Sequence, residues 1–175
     1  MKPDDLGRLF FGFQHSAFRL ETLPAYAIEE EAESFRAWQA GEQPPPWQLD
    51  RDWCHLVAGA TTAGKSMQRV RVVRRPLTAY VRFEMDWGYP QNIEAGEDIR
   101  ILELRPGDEL PYVPEPDRGY DFWCFDAVTV VRMDYDHEGR FIRPVDVSDN
   151  EVPFIACRDW AMHRAVPFSD YRARI

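Results

Sequence analysis

The chain has 175 residues, 45% hydrophobic and 14% aromatic, and its 21 Lys and Arg face 30 Asp and Glu for a net charge of −9. Length and composition exclude disorder and more than one domain with a short appendage, so residues 1–175 are read as a single packed domain. The acidic balance argues against direct nucleic-acid binding, which needs a cationic face.

Residues 5–13 are a short apolar lead, read as one helical turn. Residues 15–22 alternate, with Phe18, Leu20 and Thr22 on one face and His15, Ala17, Arg19 and Glu21 on the other, which is a strand pattern. It reads as an edge strand with one solvated face. Ile28 to Ala40 begins with Glu29, Glu30, Glu31 and Glu33 and places Phe35 and Trp38 at helical spacing, so it reads as an amphipathic helix capped by Gly41. Residues 42–47 form a stiff proline connector. Asp50 or Asp52 then caps a helix carrying Trp53, Leu56, Val57 and Ala60 on one side.

Residues 67–73 alternate and are rich in β-branched side chains, so they form a strand that turns at Arg74-Arg75-Pro76. Leu77 to Trp87 reads as a helix, on which Arg82 and Asp86 form a surface pair. Residues 98–104 are a strand, 105–119 a loop, and 120–126 with 128–135 a hairpin around Asp126-Ala127. Residues 141–147 add a third antiparallel strand, and 151–165 close the chain with a helix. The fold class is α/β with α+β character: a mixed sheet flanked by helices, a C-terminal antiparallel meander, then a final helix.

The three cysteines, Cys54, Cys124 and Cys157, are scattered, as are the four histidines, so no zinc spacing exists and neither a metal nor a cofactor is expected. The N-terminus is not a signal peptide and no apolar run is long enough to span a bilayer; a cytoplasmic protein without a membrane segment is expected.

Residues 59–66 match the letters of a phosphate-binding loop, with Gly59, Gly64, Lys65 and Ser66 at the defining positions. A working loop needs a strand before the first glycine and a helix starting at Lys-Ser. Here a helix precedes and a strand follows, so Gly64 reads as a helix end and nucleotide hydrolysis is not expected. The segment from Lys65 to Arg82 holds Lys65, Arg69, Arg71, Arg74, Arg75 and Arg82 without an acid. These side chains are expected to pair with carboxylates elsewhere; a local anion site is the alternative.

Four blocks resemble one known family: His15-Ser16-Ala17-Phe18-Arg19-Leu20-Glu21, Arg71 through Glu84, Ala95 to Arg100, and Asp121 to Asp126. The chain resembles the domain-of-unknown-function family 6879 of actinobacteria over residues 9–171. The resemblance implies a single-domain cytoplasmic protein, often encoded near helix-turn-helix regulators, and implies no activity. The order strand–helix–strand–Phe-Trp-Cys-Phe-Asp also looks like a phospholipase-D-like half-domain. The H-x-K motif of that chemistry is missing, so the likeness concerns fold alone.

The leading expectation is a non-enzymatic accessory or sensor domain acting through a protein partner, a helix-turn-helix transcriptional regulator in the first instance. The alternative is a small hydrolase or transferase acting on a phosphorylated or carboxylated small molecule. Its site would gather His15, Arg19, Glu21, Arg71, Arg82, Glu84 and Asp126 on one side of the sheet. Burial discriminates between the two: convergent buried charges favour an enzyme or ligand sensor, an exposed patch a partner surface.

Overall fold

Alternating segments become the strands of one mixed sheet. The computed structural model describes residues 1–44, 51–111 and 120–175. Within them β1 (Ser16–Glu21), β2 (Ser66–Val73), β3 (Asp98–Glu103), β4 (Phe122–Phe125), β5 (Thr129–Tyr135), β6 (Phe141–Asp146) and β7 (Val166–Pro167) pair in the order β6-β5-β4-β1-β2-β3-β7. The β1–β2 and β2–β3 pairs are parallel and the rest antiparallel. β4, β5 and β6 are the expected meander.

The helices are α1 (Pro3–Gly12), α2 (Ala32–Gln39), α3 (Arg51–Thr62), α4 (Ala79–Phe83), α5 (Tyr89–Glu94), α6 (Val152–Arg164) and α7 (Phe168–Arg172). Parallel neighbours need crossovers. α2 and α3 link β1 to β2, while α4, a π-helical turn at Glu84–Gly88 and α5 link β2 to β3. The proline connector past residue 44, the cap at Asp50 and the loop at 112–119 lie outside the described residues.

Period-2 alternation sorts the strand side chains between two cores. Phe18, Leu20, Val70, Val72, Phe122, Cys124 and Val130 face α6, which contributes Phe154, Cys157 and Ala161. The opposite face meets α1 and α3 through Ala17, Met67, Trp123, Phe125 and Val131, and meets α4 and α5 through Val73, Ile99 and Ile101. The result is three layers, helix–sheet–helix.

Three sequence expectations change. The apolar lead is a ten-residue helix, not one turn: Phe10 meets Trp53, Trp123 and Phe125 edge-on at 5.5, 4.8 and 5.2 Å. A short strand and a further helix, β7 and α7, follow the helix expected to be final, and pair with the free side of β3. Most consequential, β1 is no edge strand. It lies between β4 and β2, and Arg19 and Glu21 are buried with it.

The three-residue connection from β4 to β5, Asp126 to Val128, is closed by the Val128 N–H on the Phe125 carbonyl at 3.0 Å and holds both Asp126 and Ala127 at positive φ, 53° and 55°. Asp126 has a reason to be there. Its carboxylate accepts the backbone N–H groups of Gln14, His15 and Ser16 at 2.7 to 2.9 Å, fixing the entry to β1. Ala127 has no such compensation. Ala127→Gly is expected to raise stability by about 1 kcal/mol, read as a higher midpoint in urea.

Candidate functional site

The strand order turns back at β1. Chain growth lays β2 and β3 on one side of it and β4 to β6 on the other. Crevices in open sheets form where connections diverge in this way. Here the crevice is a cleft of about 890 Å³ over the centre of the sheet. Its floor is Arg19 of β1 beside Arg69 of β2, which are register partners, with Glu21 next along β1. Trp53 from α3 and Trp123 from β4 flank the floor, and Tyr26, Tyr80 and Tyr135 wall it. The loop after β1 and the acidic turn Glu29–Glu31 form the rim.

Strand alternation puts every one of these charges on the same face. Arg69 gives Nη1 to Glu21 Oε1 at 2.6 Å and Nε to Glu97 at 2.8 Å. Arg19 Nε lies 3.5 Å from Glu21 Oε1, and its Nη2 bonds Asp121 at 3.0 Å and the Tyr135 hydroxyl at 2.9 Å. Arg71, wholly buried one layer lower, stands 3.5 Å from Glu21 Oε2 and 3.8 Å from Glu84 Oε2. The Tyr26 ring covers it at 4.9 Å. Asp121 also binds the Thr22 amide and hydroxyl and the Tyr26 hydroxyl, which ties the rim loop to the sheet. Gly139 at the β5–β6 turn accepts the Ala27 N–H there; a Cβ at Gly139 would stand 2.7 Å from the Ala25 carbonyl, so only glycine fits.

The network is short of acceptors. Among the described residues, four buried guanidinium nitrogens, Arg19 Nη1 and all three of Arg71, have no hydrogen-bond partner, while of the buried carboxylate oxygens Glu21 Oε2 alone shares that state. Buried donors left this way are costly, so such atoms point to a missing partner.

Two carboxylates share Arg71, and their acidities separate. Burial pushes Glu21 up, but Arg69, Arg71 and Arg19 together outweigh it and hold its pKa at about 2. Burial likewise pushes Glu84 up; Arg71 opposes, the Glu21 charge adds to the rise, and Glu84 reaches about 7. Glu84 opens the π-helical turn, a widened turn that aims its carboxyl inward, and takes a 3.0 Å bond from the Tyr89 hydroxyl. The linkage sign follows. From 4.5 to about 7 the folded chain holds a proton on Glu84 that the unfolded chain has released, so stability falls as pH rises through this window. The loss is on the order of 3 kcal/mol. Urea midpoints at about pH 5 and about pH 8 are expected to show it, and Glu84→Gln to remove it.

Of the seven residues singled out from sequence, Arg19, Glu21, Arg71 and Glu84 converge in this network. The other three stand apart from the cleft. His15 is exposed, with its amide on Asp126; Asp126 is a turn anchor; Arg82 is exposed on α4. Asp86 binds the Trp38 indole at 2.9 Å and the Arg172 guanidinium in place of the expected Arg82. The seven-residue cluster left out Arg69, Glu97, Asp121 and the tyrosines. Arg69 carried a usable signal, since it stands two residues before Arg71 and so on the same face.

The phosphate-loop letters have the reverse context. Gly59 lies within α3, Gly64 ends that helix at φ 79°, and Ser66 opens β2. The Lys65 ammonium binds the Phe13 carbonyl and sits 4.8 Å over its ring. The basic segment up to Arg75 is paired internally: besides Arg69 and Arg71, Arg75 meets Glu103 at 3.1 Å and Arg74 bonds the carbonyls of Arg105 and Asp108. Among the described residues no group of three His, Cys, Asp or Glu is placed to hold a metal ion, and no helix is long and apolar enough to cross a membrane.

Comparison with known proteins gives a family and a weak structural likeness. The crystal structure of a phospholipase D family member, Nuc from Salmonella typhimurium, is 10% identical with a TM-score of 0.46, covering 94% of this chain and 92% of that one. No curated protein matches the sequence. The model of the family described as "Domain of unknown function (DUF6879)" matches residues 4–173. With nearly its whole length matched, the chain belongs to the DUF6879 family.

Proposed function

We propose that the chain is a small-molecule sensor domain that passes the state of its cleft to a protein partner, in the first instance a helix-turn-helix regulator. The observation that carries this reading is the Arg19–Arg69 pair at the floor of an open, aromatic-walled cleft, with Arg71 buried beneath it. Few convergent polar groups within an apolar wall are the usual make-up of a ligand site. The described residues lining the cleft include no Ser, Cys, His or Lys; its reactive groups are carboxylates and phenols. The partner side rests on charge. Glu29, Glu30 and Glu33 are exposed at and beside the rim, where a basic surface would sense an occupied cleft.

Co-purification tests this from the cells in which the protein occurs. A stoichiometric basic DNA-binding partner is expected, lost when Glu29, Glu30 and Glu33 become lysine in a chain that still folds. Recovery without any partner would remove the regulatory half of the reading.

A second reading, a hydrolase or transferase of a phosphorylated or carboxylated molecule, is favoured by one observation. A carboxyl held near 7 suits general acid–base work. Recovery of the bound molecule chemically changed after incubation would favour it over sensing.

A further inference from the structure

The network's own deficit limits what the ligand is. Counting Glu84 as protonated, Arg19, Arg69 and Arg71 balance Glu21, Glu97 and Asp121, so charge is even while acceptors are lacking. Of the unpartnered nitrogens, those of Arg71 lie beneath the floor, while Arg19 lines the cleft, so a ligand there brings oxygen lone pairs to Arg19. Arg19 and Arg69 lie side by side on neighbouring strands and both line the cleft, a spacing suited to one group with several acceptor oxygens. Arg69 spends Nε on Glu97 and Nη1 on Glu21, and neither occupies Nη2. Beside the pair, Tyr26, Tyr135 and Phe141 form a continuous wall with ring centroids 5.2 and 5.7 Å apart, and Phe141 is exposed at the rim.

We infer that the ligand is an aromatic oxyanion, its carboxylate or phosphate seated on Arg19 and Arg69 and its ring against the wall of Tyr26, Tyr135 and Phe141. This deepens the sensor reading and rests on it. Arg71 backs the pair from beneath with a third positive charge. Glu84 sets the pH dependence. The groups facing it are Arg71 and Arg69 from β2, Glu21 from β1, Glu31 from the rim turn, and the hydroxyls of Tyr80 from α4 and Tyr89 from α5. While Glu84 is protonated the floor accepts an added negative charge. When it ionises, it competes for the same guanidinium groups, so oxyanion affinity falls as pH rises through neutrality.

Tryptophan fluorescence of the whole protein reads binding, because Trp53 and Trp123 lie at the floor. Four probes share a ring and differ in charge: benzoate, phenyl phosphate, benzamide and benzylammonium. Benzoate or phenyl phosphate is expected to bind at least about tenfold more tightly than benzamide, and more tightly at about pH 6 than at about pH 8. The better of the two identifies carboxylate or phosphate. Arg19→Gln and Arg69→Gln are expected to abolish the response. If either variant fails to fold, the probe series on the unaltered chain still decides. Equal or tighter binding of benzamide or benzylammonium would overturn the inference, as would silence to both oxyanions at millimolar concentration. A neutral or cationic molecule found bound to the purified protein would remove the oxyanion and leave the sensor reading standing.

Discussion

Asp121→Asn is expected to be among the most damaging single substitutions in this chain. The carboxylate is buried and takes bonds from Arg19, the Thr22 amide, the Thr22 hydroxyl and the Tyr26 hydroxyl. Asparagine has the same shape, but turns an NH2 group toward one of these donors and leaves Arg19 with only the more distant Glu21 carboxylate, 3.5 Å away, as a buried counter-charge. Breaking a buried pair from one side costs about 3–5 kcal/mol, a drop in melting temperature of roughly 6–20 °C for a domain of this size. The damage has a direction as well. The rim loop carries Tyr26, so hydrogen exchange around residues 22–28 is expected to accelerate before that of β2 or β4. A melting temperature within experimental error of the parent would show that the buried pair contributes nothing net.

Glu21→Gln is the second large effect, and its signature is in pH. Glu21 is shared by Arg69, Arg19 and Arg71, so its loss is again expected to cost about 3–5 kcal/mol near neutral pH. In the parent chain the Glu21 pKa is depressed to about 2, so its contribution is complete above 4.5 and is lost as pH falls toward about 2. Glu84 acts on the other side of the same window, removing stability above 4.5. Together they place an optimum near 4.5. Without the Glu21 charge, Glu84 loses a repulsive neighbour and keeps Arg71, so its pKa moves down. The fall in stability toward neutral pH is then expected to shrink or reverse. Glu21→Gln and Glu84→Gln share the Arg71 guanidinium, so their effects are not additive. Additive losses with an unchanged pH profile would mean that the carboxylates do not compete for Arg71.

Local pattern explains what was legible in the sequence. The strands from β2 to β6 show alternation or β-branched runs, and the parallel crossovers follow from helices between them. α1 was underestimated because Gly7 and Gly12 dilute its helical signal. Its stability comes instead from Phe10 packing against rings far along the chain. β7 has two residues, too few for any period. In the site, alternation revealed Arg19 and Glu21 but could not reveal the strand's neighbours, so a buried central strand read as a solvated edge. Asp126 resembled a site carboxylate because it ends an apolar strand. Asp121, at the other end of that strand, holds the network, and only the antiparallel register with β1 distinguishes the two. Tyr26 follows Pro24 in a loop with no periodic signal at all, yet its ring covers Arg71.

The central claim is that the cleft holds a small molecule. Native mass spectrometry of the protein, purified gently from the cells in which it occurs, tests that most directly. The account predicts the chain mass plus a metabolite that leaves on denaturation and is missing from a folded Arg19→Gln variant. The bare chain mass, together with fluorescence unmoved by any of the four probes, would contradict it.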